Sequence, residues 1–440
     1  MVNNFKFKIN NFGPINNADI NLNKLNVVGG VNASGKSFSS RLLFCIVTAL
    51  SEEGKKHDNN SVKKLFIDII KRFELLLPDT SSSYINDEKS NLIIKLNQLF
   101  DSWDDYNVSH EFLNDFYTNF LNAMDEFDFN YHDFEKDLNK INSIIDLHLN
   151  KFEYIIPVLR FLLVSEFGLG QLNTFKGSSV NISMNSLDCK MEYDIQFTSD
   201  ALKISTDDEN QVSCVDFNNV IYIDSPSVMD FHLTGNHIHH HYISLYESLT
   251  HNNDNVKLGV YDNVNEIVDI NKKFNKMING SFKFNKLDNS FLFESDGQTF
   301  DVKNIASGYK QIGVLMSLLN NNQINSKTFL ILDEPEINLH PSFQIKLANI
   351  IVKLVKELDL MVYINSHSPF IIEALEVYSK KEGIEDNTNF FMCENIDDND
   401  NKFNIKQIER EDLKILYDNL SNPFRMINNI RFENELNDLD

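Results

Sequence analysis

Leu25-Asn26-Val27-Val28-Gly29-Gly30-Val31-Asn32-Ala33-Ser34-Gly35-Lys36-Ser37-Phe38 runs from an apolar stretch through a glycine-rich loop into the helical-looking run Phe38 to Leu50. This strand, loop and helix order is the setting that a phosphate-binding loop needs. Gly30 and Gly35 let the backbone aim its N–H groups inward, and the helix opening near Lys36 adds the positive end of its dipole. Asn32, Ala33, Ser34 and Phe38 complete the cradle, Lys36 bridges β and γ phosphates, and Ser37 holds Mg²⁺. An ordinary glycine-rich turn is the plainer alternative.

A phosphate loop alone says only that a nucleotide phosphate binds, so the second half of the chain has to discriminate. Phe329-Leu330-Ile331-Leu332 is an apolar run without alternation, as expected of a strand buried on both faces of a parallel sheet, and it ends at Asp333-Glu334. Strand C-terminal ends are where α/β sheets hold their ligands. Asp333 fits as the acidic partner of Mg²⁺ opposite Ser37, and Glu334 as the general base that aligns an attacking water. Met361-Val362-Tyr363-Ile364-Asn365-Ser366-His367-Ser368-Pro369 is a second buried strand running into a polar turn. His367 at its end is placed to hydrogen-bond a γ-phosphate oxygen and report its presence; a structural capping histidine is the alternative.

Ala306-Ser307-Gly308-Tyr309-Lys310-Gln311 opens the periodic segment Ile312 to Leu319. Ser307 is expected to cap that helix, so that its free N–H groups form a second anion site with Gly308. Two phosphate-binding helix ends that cannot reach one nucleotide point to a two-fold dimer, in which Ser307 and Gly308 complete the partner's ATP site.

Taken in order, these blocks resemble the ATP-binding-cassette (ABC) type of ATPase. More narrowly they resemble prokaryotic AAA-family ATPases related to the RecF, SMC and OLD (overcoming lysogenization defect) proteins, including the AbiEii-toxin type. Asn11-Phe12-Gly13-Pro14-Ile15, the text Leu332-Asp333-Glu334-Pro335-Glu336-Ile337-Asn338-Leu339-His340-Pro341, and the tail Leu416-Tyr417-Asp418 to Asn422-Pro423-Phe424 also carry the likeness. It implies an α/β fold: an ABC-type P-loop NTPase core with a mixed or parallel sheet, an antiparallel β subdomain and helical insertions. It also implies an Mg²⁺-dependent ATPase using ATP, acting as a homodimer or higher homo-oligomer in phage defence. A nuclease or toxin would then be a separate effector protein, such as the HNH partner of Septu-type ATPases. The chain departs from the family in having Tyr309-Lys310 within the signature. It also lacks a clear glutamine-bearing Q-loop, for which Gln171, Gln196 and the turn Asp224-Ser225-Pro226 are candidates.

Composition sets outer limits on these readings. A chain of 440 residues, 42% of them apolar, is long enough for two or three structural units. The polar start Met1 to Lys6 and the lack of an 18-residue apolar run predict a cytoplasmic protein without a membrane span. Cys45, Cys189, Cys214 and Cys393 lie too far apart for a zinc or disulfide pattern. The net charge of −24 does not imply DNA binding, although it leaves a local basic patch open. Between Asp101 and Asp146, 12 acidic residues face only Lys136 and Lys140, which marks a solvated face or a docking surface for a basic partner.

Hydrophobic period divides the chain further. Residues 1–51 begin the ATPase core, 52–170 read as a helical insertion, 171–228 as its antiparallel β part, 229–280 as helical, and 281–440 as the C-terminal core. His232, His237, His239, His240 and His241 tempt a metal reading, but consecutive histidines on a helix diverge, which favours a polar helix or subunit contact. Two rivals to the defence ATPase remain. One is a DNA-repair ATPase of RecF or SMC type; the other is an ATP-binding scaffold with little turnover.

Overall fold

The computed structural model describes residues 2–51, 118, 155–168, 175–186, 190–198, 202–206, 217–230, 239–250, 264–397 and 400–437. Of the expected helical insertion 52–170 only 118 and 155–168 are among these residues, and Gln171, Cys189, Cys214, His232 and His237 lie outside them. The chain divides into two units. One comprises Met1–Val47, Leu162–Asp207 and Cys214–Asp440, and the other Thr48–Phe161 with Asp208–Ser213. All the site geometry below belongs to the first.

Three strands start that unit, β1 (Val2–Phe12), β2 (Ile15–Leu22) and β3 (Leu25–Gly29), followed by helix α1 (Lys36–Leu50). Helix α2 (Ile155–Phe167) leads to β4 (Ser179–Ser186), β5 (Lys190–Phe197), β6 (Leu202–Thr206) and β7 (Asn219–Ile223). Then come α3 (His240–Thr250), α4 (Val264–Ile278) and a hairpin sheet of β8 (Ser281–Asn285), β9 (Ser290–Ser295) and β10 (Gln298–Asp301). The C-terminal part runs α5 (Ser307–Asn320), β11 (Thr328–Asp333), α6 (Pro341–Leu358), β12 (Met361–Ser366), α7 (Pro369–Glu382), β13 (Thr388–Asp397), β14 (Asp400–Ile408) and α8 (Leu413–Asn437).

One mixed sheet in the order β6-β5-β4-β1-β2-β14-β13-β3-β12-β11-β7 carries the core. β1, β2, β4, β5 and β6 pair antiparallel as one wing of this sheet. β7, grouped by sequence with that wing, instead runs parallel to β11 at the opposite edge. The central strands follow from composition: β3, β11 and β12 are buried at every position, as apolar runs without alternation require when both faces are covered. Each fully buried Leu, Ile or Val there contributes about 1.5–3 kcal/mol. Helix α6 turns Leu347, Ile350, Ile351, Leu354 and Leu358 inward at helical spacing, opens with Pro341 in its first turn and ends at Asp359 in the left-handed region.

Register aligns the strand ends. Leu332 pairs with Ile223, Asp333 with Asn365, and Ser366 with Gly29. Parallel pairing therefore brings the phosphate loop, the acidic pair and the histidine turn to one edge of the sheet.

Candidate nucleotide site

The glycine loop is tight for steric reasons. Gly35 has φ +86°, and a Cβ there would sit 2.4 Å from Ile15 Cδ1, so the loop closes against the β1–β2 turn only with glycine. Ala33 adopts φ +61°, the left-handed region that a side chain disfavours. The Lys36 ammonium is buried and donates to the carbonyls of Gly30 and Val31, both at 2.8 Å. Helix α1 begins at Lys36, so its first N–H groups face the same loop.

Asp333 is buried at the end of β11, and both its oxygens are aimed. Tyr222 Oη donates to Oδ2 and Asn365 Nδ2 to Oδ1, each at 2.8 Å. Asn365 also donates to Ser40 Oγ at 2.8 Å, while Ser40 Oγ lies 3.1 Å from Tyr222 Oη. This ring joins α1, β7, β11 and β12. Hard oxygen donors from one hydroxyl and one carboxylate suit Mg²⁺, which takes few protein ligands and relies on phosphate and water for the rest. Ser37 and Asp333 therefore fit the ion that the sequence implies.

Glu334 follows in a left-handed conformation, φ +52°, held by its N–H donating to the Asn365 carbonyl at 2.9 Å. His367 Nδ1 lies 3.2 Å from Glu334 Oε1 and 3.5 Å from Glu336 Oε1. Among the described residues Nε2 has no protein partner, and the ring is 38% exposed. The Glu334 carboxylate raises the His367 pKa above its ordinary value against partial burial, with Glu336 adding to the effect. In return His367 lowers that of Glu334. Glu336 is buried, which raises its pKa, and its Oε1 accepts from Ser366 Oγ at 2.6 Å and from the His367 N–H at 3.0 Å.

The signature segment differs from expectation at one residue. Ala306, not Ser307, is the N-cap of α5, with no side-chain cap hydrogen bond, and Ser307 is the first helical residue. The chain enters the helix one residue earlier, which leaves the Ser307 hydroxyl exposed and free of capping duty. A Cβ on Gly308 would meet the Asn338 carbonyl at 2.6 Å, so glycine lets α5 rest on the loop after Glu334. Lys310 is buried and paired with Asp230 at 2.6 Å. The Q-loop candidates separate as well. Gln196 lies on β5 in the antiparallel wing, bonded to Asp194, whereas Asp224 directly follows β7 beside β11.

Sequence reading missed Tyr222, Ser40, Asn365 as a ligand-orienting group, and Glu336. Asn365 and Glu336 lie inside the quoted blocks, but only the register of β11 with β12 gives them roles. Tyr222 carries no local signal at all. Among the described residues no group of three or more His, Cys, Asp or Glu side chains is arranged to hold a metal. His241 of the histidine run is instead enclosed between Glu166 and Asp224.

A phosphate loop beside an acidic strand end and a histidine on the next parallel strand form the arrangement of a P-loop ATPase. The chain belongs to the AAA ATPase domain family, whose model matches residues 5–372. Comparison with curated proteins yields no match. Among solved structures it is similar to the SMC head domain from Thermotoga maritima, at 9% identity and TM-score 0.40, covering 92% of this chain and 99% of that one. A second SMC head, bound to the C-winged helix domain of ScpA, aligns at 10% identity and TM-score 0.43, over 93% and 98% of the two chains. A third, an SMC head with an extended coiled coil bound to the C-terminal domain of ScpA derived from Pyrococcus furiosus, aligns at 10% and 0.42, over 94% and 99%. No helix among the described residues is long and apolar enough to cross a membrane.

Proposed function

We propose that the protein is an Mg²⁺-dependent, ATP-gated dimer switch that acts in phage defence and hands its output to a separate effector such as a nuclease. The observation that carries the ATP chemistry is the convergence of Lys36, Asp333, Glu334 and His367 on one sheet edge through the register of β3, β12 and β11. Lys36 neutralises the β and γ phosphates, and the N–H groups of residues 30–38 wrap them. Ser37 and Asp333 hold Mg²⁺, which supplies charge neutralisation when bound. Glu334, kept ionised by His367, accepts the proton of the attacking water. His367 Nε2 donates to a γ-phosphate oxygen, so the histidine registers whether that phosphate is present.

The exposed Ser307 hydroxyl and the N-terminus of α5 offer their donors outward, which supports delivery to a second copy's ATP. Hydrolysis then removes the shared anion and opens the dimer. The defence role rests on family resemblance. The test measures ATP turnover and mass by light scattering with and without ATP, alongside DNA binding. Lys36→Ala is expected to lose nucleotide binding, and Glu334→Gln to accumulate an ATP-bound dimer. A Glu334→Gln chain that turns over ATP normally removes the assigned base, and ATP-dependent DNA binding by the native dimer would favour the repair reading.

A further inference from the structure

Among the described residues β7 stands at one end of the sheet order beside β11, and it delivers the Tyr222 hydroxyl to Asp333. Further contacts converge on its C-terminal end. Asp224 directly follows β7, and alternate residues of an extended chain share a face, so Tyr222 and Asp224 both turn toward α1. Arg41 Nη2 lies 3.3 Å from Asp224 Oδ2, and the Phe44 ring packs edge-on to the rings of Tyr222 and His241. From α3, His241 reaches Asp224 Oδ2 with Nε2 at 3.4 Å and Glu166 Oε2 with Nδ1 at 2.6 Å. Its backbone N–H takes the other Glu166 oxygen at 3.1 Å. The side chains of His241 and Glu166 are wholly shielded from solvent.

Buried charges persist only when paired. Two carboxylates against the Arg41 guanidinium leave one positive charge missing, and a doubly protonated His241 ring supplies it, with Nδ1 2.6 Å from Glu166 and Nε2 3.4 Å from Asp224. Arg41 and His241 both reach Asp224 at the C-terminal tip of β7, and Glu166 holds His241 from the other side. We propose that Glu166, His241, Asp224 and Arg41 are positioning residues of the ATPase, fixing that tip so that Tyr222 aims Asp333 at Mg²⁺. The inference rests on Ser37 and Asp333 as the Mg²⁺ ligands.

Titration of a fluorescent mant-ATP with the full chain, with and without Mg²⁺, tests it beside kcat and thermal melting. Loss of a group that orients a metal ligand weakens the metal about tenfold or more. Asp224→Asn, His241→Gln and Tyr222→Phe should each raise the Mg²⁺ needed for half-maximal tightening of binding about tenfold, with metal-free mant-ATP affinity within about twofold. The double variant Asp224→Asn/His241→Gln should be no worse than His241→Gln alone, because both cut one chain. Phe44→Leu, which loosens the same packing without touching a charge, should lower the melting temperature and leave the Mg²⁺ response unchanged. If Asp224→Asn and Tyr222→Phe behave like Phe44→Leu, the positioning role is overturned. If the native chain binds mant-ATP with no Mg²⁺ effect, the metal-site reading falls and takes the proposal with it.

Discussion

The protein holds two histidines between pairs of carboxylates, and they are used in opposite ways. His367 presents one nitrogen, Nδ1, to both Glu334 and Glu336, and leaves Nε2 facing outward on a ring 38% exposed. His241 sets Nδ1 2.6 Å from Glu166 and Nε2 3.4 Å from Asp224, and is sealed from water. The first arrangement keeps a donor available for a ligand that comes and goes. The second has no nitrogen open to solvent, so its charge can only hold neighbouring elements in place. Counting carboxylates around a histidine therefore does not reveal its job; the access of its nitrogens to solvent does.

The comparison breaks first at Glu334. Glu334→Gln keeps the shape of the His367 contact but removes the base, and steady-state ATP turnover should fall by about 10²–10⁴-fold with ATP still bound. A loss under threefold would mean that the open histidine pair is as structural as the sealed one. His241→Gln, beside its effect on the Mg²⁺ requirement, should cost about 3–5 kcal/mol in chemical denaturation because it strands a buried carboxylate. His367→Gln should change the same denaturation midpoint by less than about 1 kcal/mol, since its pair is solvent-screened. Equal costs at the two sites would erase the distinction.

Acidity sharpens it further. Burial alone lowers the His241 pKa, but Asp224 and Glu166 overcome it and raise the pKa above its ordinary value. The stabilisation it gives is then complete below the unfolded histidine value of about 6.5, and it is lost as pH rises through the raised folded value. Burial raises the Glu166 and Asp224 values, His241 more than reverses this, and both end below the ordinary range, so their share is lost on acidification below about pH 4. Melting curves of native protein and His241→Gln should differ most between about pH 4.5 and 6.5, and converge toward alkaline pH. A difference that grows above pH 8 would overturn the charged form of His241.

The smallest expected effect is at Ala33. Ala33→Gly relaxes a left-handed residue at the cost of a more flexible unfolded chain, for a net gain of up to about 1 kcal/mol and an ATP affinity within about twofold. A tenfold loss would show that the methyl group itself shapes the phosphate loop.

Much of this site is written in short stretches of sequence. Gly30 to Ser37, Asp333-Glu334 and His367 each sit where an apolar run meets a polar turn, and that local contrast survives without any tertiary information. The α/β class follows from the same unbroken runs, because only strands covered on both faces lack alternation. Residues that act across strands are not legible this way. Tyr222 and Asn365 matter because β7, β11 and β12 align in one register, and register between residues 111 and 32 positions apart leaves no trace in either segment. Glu336 looks like a loop carboxylate until the Ser366-His367 turn closes over it. Ser307 misled by one position because serine is both a good cap and a tolerated first helical residue. The histidine run was ambiguous for a similar reason, since the carboxylates that enclose His241, Asp224 and Glu166, come from other parts of the fold, Glu166 from 75 positions upstream.

Glu334 stands in a backbone conformation that glycine adopts more easily. A non-glycine residue there costs on the order of 1–3 kcal/mol of folding stability. With Glu334 as the proposed base, folding and chemistry pull this position in opposite directions: drift toward a more stable chain favours losing the carboxylate, and a chain with a firmer fold and no base is one substitution away. Any screen of this protein for thermal robustness alone should enrich changes at residue 334, and a natural chain that keeps glutamate there keeps it against the grain of its own backbone.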